Sequence, residues 1–198
     1  MIIEQLRVGP LANFCYLVGD AKTKTAAAID PGFEADAILA KAKQRGLKIK
    51  YLILTHSHLD HTGELSALKE ATGAVVVMGA LESGDIEFSA QIQPDIAVRD
   101  GDELKLGGTK LKFIHTPGHT PGSMCILAEN NLFTGDLLFD CSIGRTDLTG
   151  SDEGQMTLSL KKVSKLPDKT MVWPGHDYGA KKHFTLGEQK KESPFLKA

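Results

Sequence analysis

The chain is short of several things that would send it into well-defined functional classes. It has only three cysteines, Cys15, Cys125 and Cys141, far apart and with no CxxC pair. An odd, scattered set argues against a disulfide framework and fits a reducing compartment. Charge of one sign is not in excess: 23 Lys and Arg stand against 25 Asp and Glu, a formal net charge of −2. No basic field therefore draws the chain to nucleic acid or to anionic lipid. Long apolar runs are missing as well. No segment approaches the roughly 20 apolar residues of a membrane span. Residues 1–7 have neither the basic start nor the apolar stretch of a signal peptide. No linker rich in Pro, Gly or Ser and no short-period repeat divides the 198 residues. The expectation is one cytoplasmic domain, 1–198, with no nucleic-acid or membrane partner. Whether it dimerises is not legible at this level.

What the chain does have is an ordinary hydrophobic content, 41%, enough for a full core at this length. Strand-like runs separated by turn residues cover 2–8, 14–18 and 25–29, with Asp30-Pro31-Gly32 closing the third. Mixed three-to-four spacing predicts a helix over 34–46, stopped by Gly46, and another over 64–72, stopped by Gly73. A strand at 51–54 separates them, and 74–78 is strand-like again. Residues 81–95 read as an irregular connection with one helical turn. Short strands then resume at 104–106, 110–114, 124–128 and 132–133. A helix over 153–166 stops at Pro167, and a last strand spans 170–173. Strands thus come in two batches, each followed by helices, with mostly hairpin-type connections. Two sheets packed face to face with helices outside satisfy that pattern, an α+β class. Cys15 and Cys125 lie in strand-like runs and read as core. Cys141 reads as buried filler rather than as a ligand.

The chemistry is concentrated in Thr55-His56-Ser57-His58-Leu59-Asp60-His61-Thr62-Gly63, directly behind the apolar run 51–54. Three imidazoles and a carboxylate within six residues form a donor set for zinc and related divalent metals. In an extended segment His56, His58 and Asp60 would share one face and His61 would point away. A loop past a strand end can turn all four to one or two points. Three further polar residues follow strand-like runs: His119 in a turn rich in Pro and Gly, Asp136 after Phe133-Thr134-Gly135, and His176 after Trp173-Pro174-Gly175. His115, still within its strand, reads as structural. One zinc takes three or four protein ligands. Seven candidates suit two metals about 3.5–4 Å apart that share a carboxylate.

His56-x-His58-x-Asp60-His61, His119, Asp136 and His176 resemble the metallo-β-lactamase superfamily in order and approximate spacing, over nearly the whole chain. The resemblance implies an αββα sandwich with two divalent ions, zinc or alternatively iron or manganese, between the sheet edges. His56, His58 and His119 would hold the first, Asp60, His61 and His176 the second, and Asp136 would bridge them. Asp136 stands where classical metallo-β-lactamases carry a cysteine, which turns the expectation away from β-lactam cleavage. Asp30 matches a family aspartate that supports the metal loop.

Within the superfamily, Phe133-Thr134-Gly135-Asp136-Leu137-Leu138-Phe139, Gly144-Arg145-Thr146-Asp147 and Gly175-His176-Asp177-Tyr178 are most similar to the glyoxalase II group. That implies hydrolysis of a hydroxyacylglutathione-type thioester by a metal-activated hydroxide. Asp60 would orient the nucleophile and relay its proton, and Arg145 and Tyr178 would hold a glutathione conjugate. Arg145 has an equally simple alternative, an ion pair with Asp147. Three departures stand out. Asp147 replaces a tyrosine of the glutathione pocket, Ser193 stands for a usual Asn, and no C-terminal helical glutathione-binding domain follows. Persulfide dioxygenases share the scaffold and would bind one iron through residues matching His56, His119 and Asp136.

Overall fold

Period-two alternation through residues 13–19 sets the architecture. Cys15 and Leu17 project to one side of their strand and Phe14, Tyr16 and Val18 to the other, and all are buried. A strand apolar on both faces must be covered on both. The computed structural model describes residues 1–82 and 88–196. In it, β1 (Ile2–Val8), β2 (Asn13–Gly19) and β3 (Thr25–Ile29) pair antiparallel. From β3 onward the sheet turns parallel, through β4 (Lys48–Ile53), β5 (Val75–Gly79) and β6 (Ile96–Val98). The strands stand in the order β1-β2-β3-β4-β5-β6. The expectation of mostly hairpin connections is therefore corrected here. α1 (Ala35–Gln44) carries the chain from β3 to β4, and α2 (Leu59–Thr62) with α3 (Leu65–Thr72) from β4 to β5. Parallel neighbours require such crossovers.

The second sheet is built from β7 (Glu103–Leu106), β8 (Thr109–His115), β9 (Met124–Ala128) and β10 (Asn131–Gly135). After a small hairpin, β11 (Leu138–Phe139) with β12 (Ser142–Ile143), come α4 (Glu153–Val163), β13 (Met171–Pro174), β14 (Phe184–Thr185) and α5 (Leu186–Glu192). The order is β14-β13-β10-β9-β8-β7. It is antiparallel except where α4 crosses over to make β10 and β13 parallel.

Three apolar clusters define four layers. Ile38 of α1 and Leu68 of α3 pack on Cys15, Leu17, Leu52 and Val76 on the outer face of the first sheet. Its inner face, with Phe14, Tyr16, Ile29 and Ile53, meets Phe113, Ile126 and Phe133 of the second sheet. Met156, Leu160 and Val163 of α4 and Leu186 of α5 cover that sheet's far side. The αββα arrangement is the expected one. No helix among the described residues is long and apolar enough to cross a membrane.

The differences from expectation are local. Residues 59–62 form a helical turn rather than loop, and β14 and α5 arise in a tail with too little apolar periodicity to announce them. Part of the connection at 81–95 lies outside the described residues; of the rest, 91–94 is irregular. Cys15 and Cys125 are buried, but Cys141 is exposed, which corrects the expectation of filler. It sits in the tight β11–β12 turn with φ 56, a left-handed conformation that aims it out of the core.

Candidate metal centre

The donor-rich segment begins where β4 ends, and its first residue is fixed by a buried carboxylate. Asp30, just past β3, accepts hydrogen bonds from Thr55 N at 2.8 Å and from Thr55 Oγ1 at 2.7 Å. Its Oδ2 lies 3.1 Å from His61 Nδ1. The helical turn α2 makes that second contact available, since it rotates His61 onto the same side as Asp60 instead of the opposite side. The turn packs so closely on Gly32 that a Cβ there would overlap the Asp60 carbonyl. Gly135 is similarly constrained: its φ is 49, and a side chain would meet Thr55.

Hydrogen bonding at the outer edge of each ring assigns the tautomers. Thr55 gives its proton to Asp30, so the 3.0 Å contact between Thr55 Oγ1 and His56 Nδ1 has the imidazole donating. His119 Nδ1 lies 2.9 Å from the Arg145 carbonyl, and His176 Nδ1 lies 2.9 Å from the Leu11 carbonyl. Carbonyls only accept, so these nitrogens carry protons as well. In each neutral ring the Nε2 lone pair is left facing inward. His56 Nε2 and Asp136 Oδ1 are buried and have no hydrogen-bond partner.

The inward atoms meet in interlocking groups. Donor atoms of His56, His58 and His119 lie within 4.8 Å of one another, as do those of Asp60, His61 and His176 and those of His56, His61 and Asp136. His58 Nδ1 and His119 Nε2 are 2.9 Å apart, and His61 Nε2 and His176 Nε2 are 3.1 Å apart. Asp60 Oδ2 is 3.5 Å from His61 Nε2 and 3.4 Å from His176 Nε2. Asp136 stands between the groups, with Oδ1 3.4 Å from His61 and Oδ2 3.5 Å from His119 and 3.4 Å from His176. Ligands about 2.0–2.2 Å from one tetrahedral ion are about 3.3–3.6 Å apart. The carboxylate–imidazole distances of 3.4–3.5 Å match that spacing, the two His–His contacts are shorter, and the orphaned His56 Nε2 and Asp136 Oδ1 add acceptors that a bound divalent ion would satisfy.

Electrostatics agree. Burial, reinforced by His61, holds the His56 imidazole well below its usual range, and burial with His119 lowers His58 to about 4. Burial also opposes charge on His61, but Asp136, Asp30 and Asp60 outweigh it and raise that ring to about 10. Asp136 is held well below the carboxylate range, because His176 and His61 outweigh its burial. Neutral His56 and His58 beside the ionised Asp136 are in the protonation states that metal ligation needs, whereas His61, held charged by the carboxylates around it, has to release its proton to bind an ion.

A cavity of about 430 Å³ opens over this set, with Asp60, Asp136, His58, His119 and His176 at its floor. Tyr178 lines it and stacks on His176, with centroids 4.4 Å apart. Arg145 lines it too, while pairing in bidentate fashion with Asp147 at 2.8 and 2.9 Å. His115 sits apart, at the end of β8, with Nε2 2.9 Å from the Pro121 carbonyl.

Two residues escaped the sequence reading. Asn13 Nδ2 donates to Asp60 Oδ2 at 2.9 Å. Glu82 bonds both donor-bearing loops: its Oε1 accepts from Ser57 N and Oγ at 2.8 Å each, and its Oε2 from Thr120 Oγ1 at 2.9 Å and Gly122 N at 2.8 Å. Its one advance signal is its place just beyond the carboxyl end of β5, the sheet edge where such sites collect.

Residues 8–176 match the family model described as the metallo-beta-lactamase superfamily. The chain is 35% identical to the hydroxyacylglutathione hydrolase GloC of Haemophilus influenzae, covering 99% of this chain and 98% of that one. Among solved structures, ETHE1 from Myxococcus xanthus superposes with a TM-score of 0.88 at 36% identity, over 98% of this chain and 84% of that one. TTHA1623 in a di-iron-bound form does so with a TM-score of 0.84 at 33% identity, over 98% and 100%. The chain belongs to the metallo-beta-lactamase superfamily.

Proposed function

We propose that this protein is a metal-dependent hydrolase that cleaves a thioester of the hydroxyacylglutathione type. The convergence of seven donor side chains into two groups of three with one carboxylate between them carries the reading. The name of the Haemophilus relative supplies the substrate type. In this reading His56, His58 and His119 hold one divalent ion, Asp60, His61 and His176 a second, and Asp136 lies between, with zinc suited to the donor set. Bound there, such ions polarise a carbonyl and bring the pKa of water toward neutrality.

The chain's own residues supply position and proton handling. Asp60 is part-exposed to the cavity, and Asn13 holds its Oδ2, so it can take a proton from the attacking water and return it to the leaving sulfur. A thiolate needs little protonation to leave, which suits a site whose remaining acids are occupied. The carbonyls of Arg145 and Leu11 keep His119 and His176 from rotating. Tyr178, on His176, forms one wall for the substrate. Arg145 takes a substrate carboxylate by exchanging it for Asp147, which its planar fork already grips in the same bidentate way.

The test is metal analysis of protein from its own host, followed by thioester and persulfide assays on the same sample. Two metals per chain and thioester hydrolysis without oxygen uptake are expected. One iron per chain with oxygen uptake on glutathione persulfide would replace this reading with the dioxygenase one.

A further inference from the structure

The mouth of the cavity differs in character from its floor. Among the described residues, seven large hydrophobic side chains are exposed, and four of them (Leu11, Leu59, Phe88 and Tyr178) line this one cavity. Each is more than half exposed. Phe139 and Ile143 continue the apolar surface inward. Clustered exposed apolar side chains mark a binding surface, whereas scattered ones do not.

The ring is tied to the donor set and so keeps its place over it. Leu59 directly precedes Asp60, and Leu59 N donates to the Phe88 carbonyl at 2.9 Å. The Leu11 carbonyl accepts from His176 Nδ1. Phe139 sits edge-on to both His176 and Tyr178, with centroids 5.9 and 5.3 Å apart. Charge at the mouth is sparse. Apart from the donor set, Arg145 is the one charged residue among the described lining, and Asp147 already offsets it. Arg145 can take one of a glutathione moiety's two carboxylates in exchange for Asp147, and the described lining offers no second cation for the other. A saturated hydrocarbon arm meets side chains that gain by being covered.

From this we infer that the enzyme's preferred substrates are thioesters with an extended apolar acyl chain, seated between Leu11, Leu59, Phe88 and Tyr178. The inference rests on the thioester chemistry proposed above and replaces the acyl part of that substrate, an extended apolar chain in place of a short hydroxyacyl group.

The metal-loaded protein is assayed with butanoyl, hexanoyl and octanoyl thioesters of N-acetylcysteamine, a small uncharged thiol, beside a hydroxyacylglutathione. Expected is a rise in kcat/KM of about two- to fourfold per added methylene. Phe88→Ser and Leu59→Ser, each checked for folding by circular dichroism, should flatten that rise. A rate that is level or falls with chain length, with hydroxyacylglutathione best, overturns the inference and leaves thioester hydrolysis standing. Direct calorimetric binding of butanoate, hexanoate and octanoate separates the two readings when no thioester is cleaved. Tightening with length then upholds the apolar seat while the hydrolase reading falls; no tightening overturns the seat.

Discussion

The two halves of the molecule deliver their donors in opposite ways. The first half places four in one short segment after a single strand, and a helical turn with one buried carboxylate, Asp30, orders them. The second half places three after three different strands, β8, β10 and β13. There the ordering groups are backbone carbonyls, Arg145 O for His119 and Leu11 O for His176. Leu11 belongs to the first sheet's side of the chain, and Phe14 N also donates to the Gly175 carbonyl, at 2.8 Å. The concentrated half is therefore set by local conformation and one side chain. The distributed half exists only once the two sheets have docked. Preorganisation by carbonyls has a further consequence: no single side-chain substitution removes it.

Asp136 joins the two halves, so its loss should have the largest effect. Asp136→Asn is expected to lower both metal content and hydrolysis by more than about 100-fold, beyond the range typical of outer partners. Metal analysis that finds one ion kept at full occupancy, with activity within about tenfold of the parent, would break the idea of a shared carboxylate. Asp30→Asn comes next. It keeps the volume and one acceptor oxygen but loses the charge and the second oxygen, where Oδ1 serves Thr55 N and Oδ2 serves Thr55 Oγ1 and His61, and a drop of about 10–100-fold in metal affinity is expected. Chelator competition should show weakening at the site that contains His61 before the other. Glu82→Gln is smaller, about tenfold, and it sharpens the contrast because Ser57 lies in one half and Thr120 in the other. Weakening of both sites together supports Glu82 as the tie between the loops. Weakening of one alone would show that the halves are ordered independently.

The same contrast explains what could be read without a structure. His56, His58, Asp60 and His61 were legible because four donors in six residues have few other uses. His119, Asp136 and His176 were legible only beside that cluster, as the rest of a seven-donor set, and through family resemblance, because each alone is a plausible turn residue. The two-sheet core followed from strand-like runs that come in two batches, each followed by helices. The parallel order of β3 to β6 did not, since strand pairing depends on which way a crossover helix packs and leaves no local trace. Asn13 and Glu82 were invisible for a related reason. Their partners are 47 residues away for Asn13 and 25 to 40 away for Glu82, and nothing near either residue signals the contact. Cys141 was misplaced because composition ranks cysteine as buried while a left-handed hairpin residue faces solvent.

The smallest expected effect concerns how the distributed half keeps its mouth in shape. Gln189 of α5 donates to Asp140 at 2.8 Å and accepts from Cys141 N at 2.9 Å, and so braces the hairpin that carries Phe139 and Ile143. That helix begins with a capping box: Thr185 accepts from Glu188 N, and Glu188 accepts from Thr185 N and Oγ1. These Thr185 bonds, with Lys181 beside them, lower the Glu188 pKa from 4.5 to about 2. A depressed carboxylate stabilises the fold fully above its unfolded pKa and loses that contribution as pH falls through the folded value. The helix should therefore gain from Glu188 above about pH 4.5 and lose that gain progressively toward pH 2. Acid titration followed by circular dichroism should show Glu188→Gln slightly less stable than the parent at neutral pH, with the difference closing across that window. Since α5 packs on the second half, with Gln189 on Asp140 and Cys141 and Lys190 on Leu166 and Asp168, hydrogen exchange should show the loosening at residues 138–143 and leave residues 55–62 protected. Equal loosening of both segments would show that the halves of the site respond as one unit.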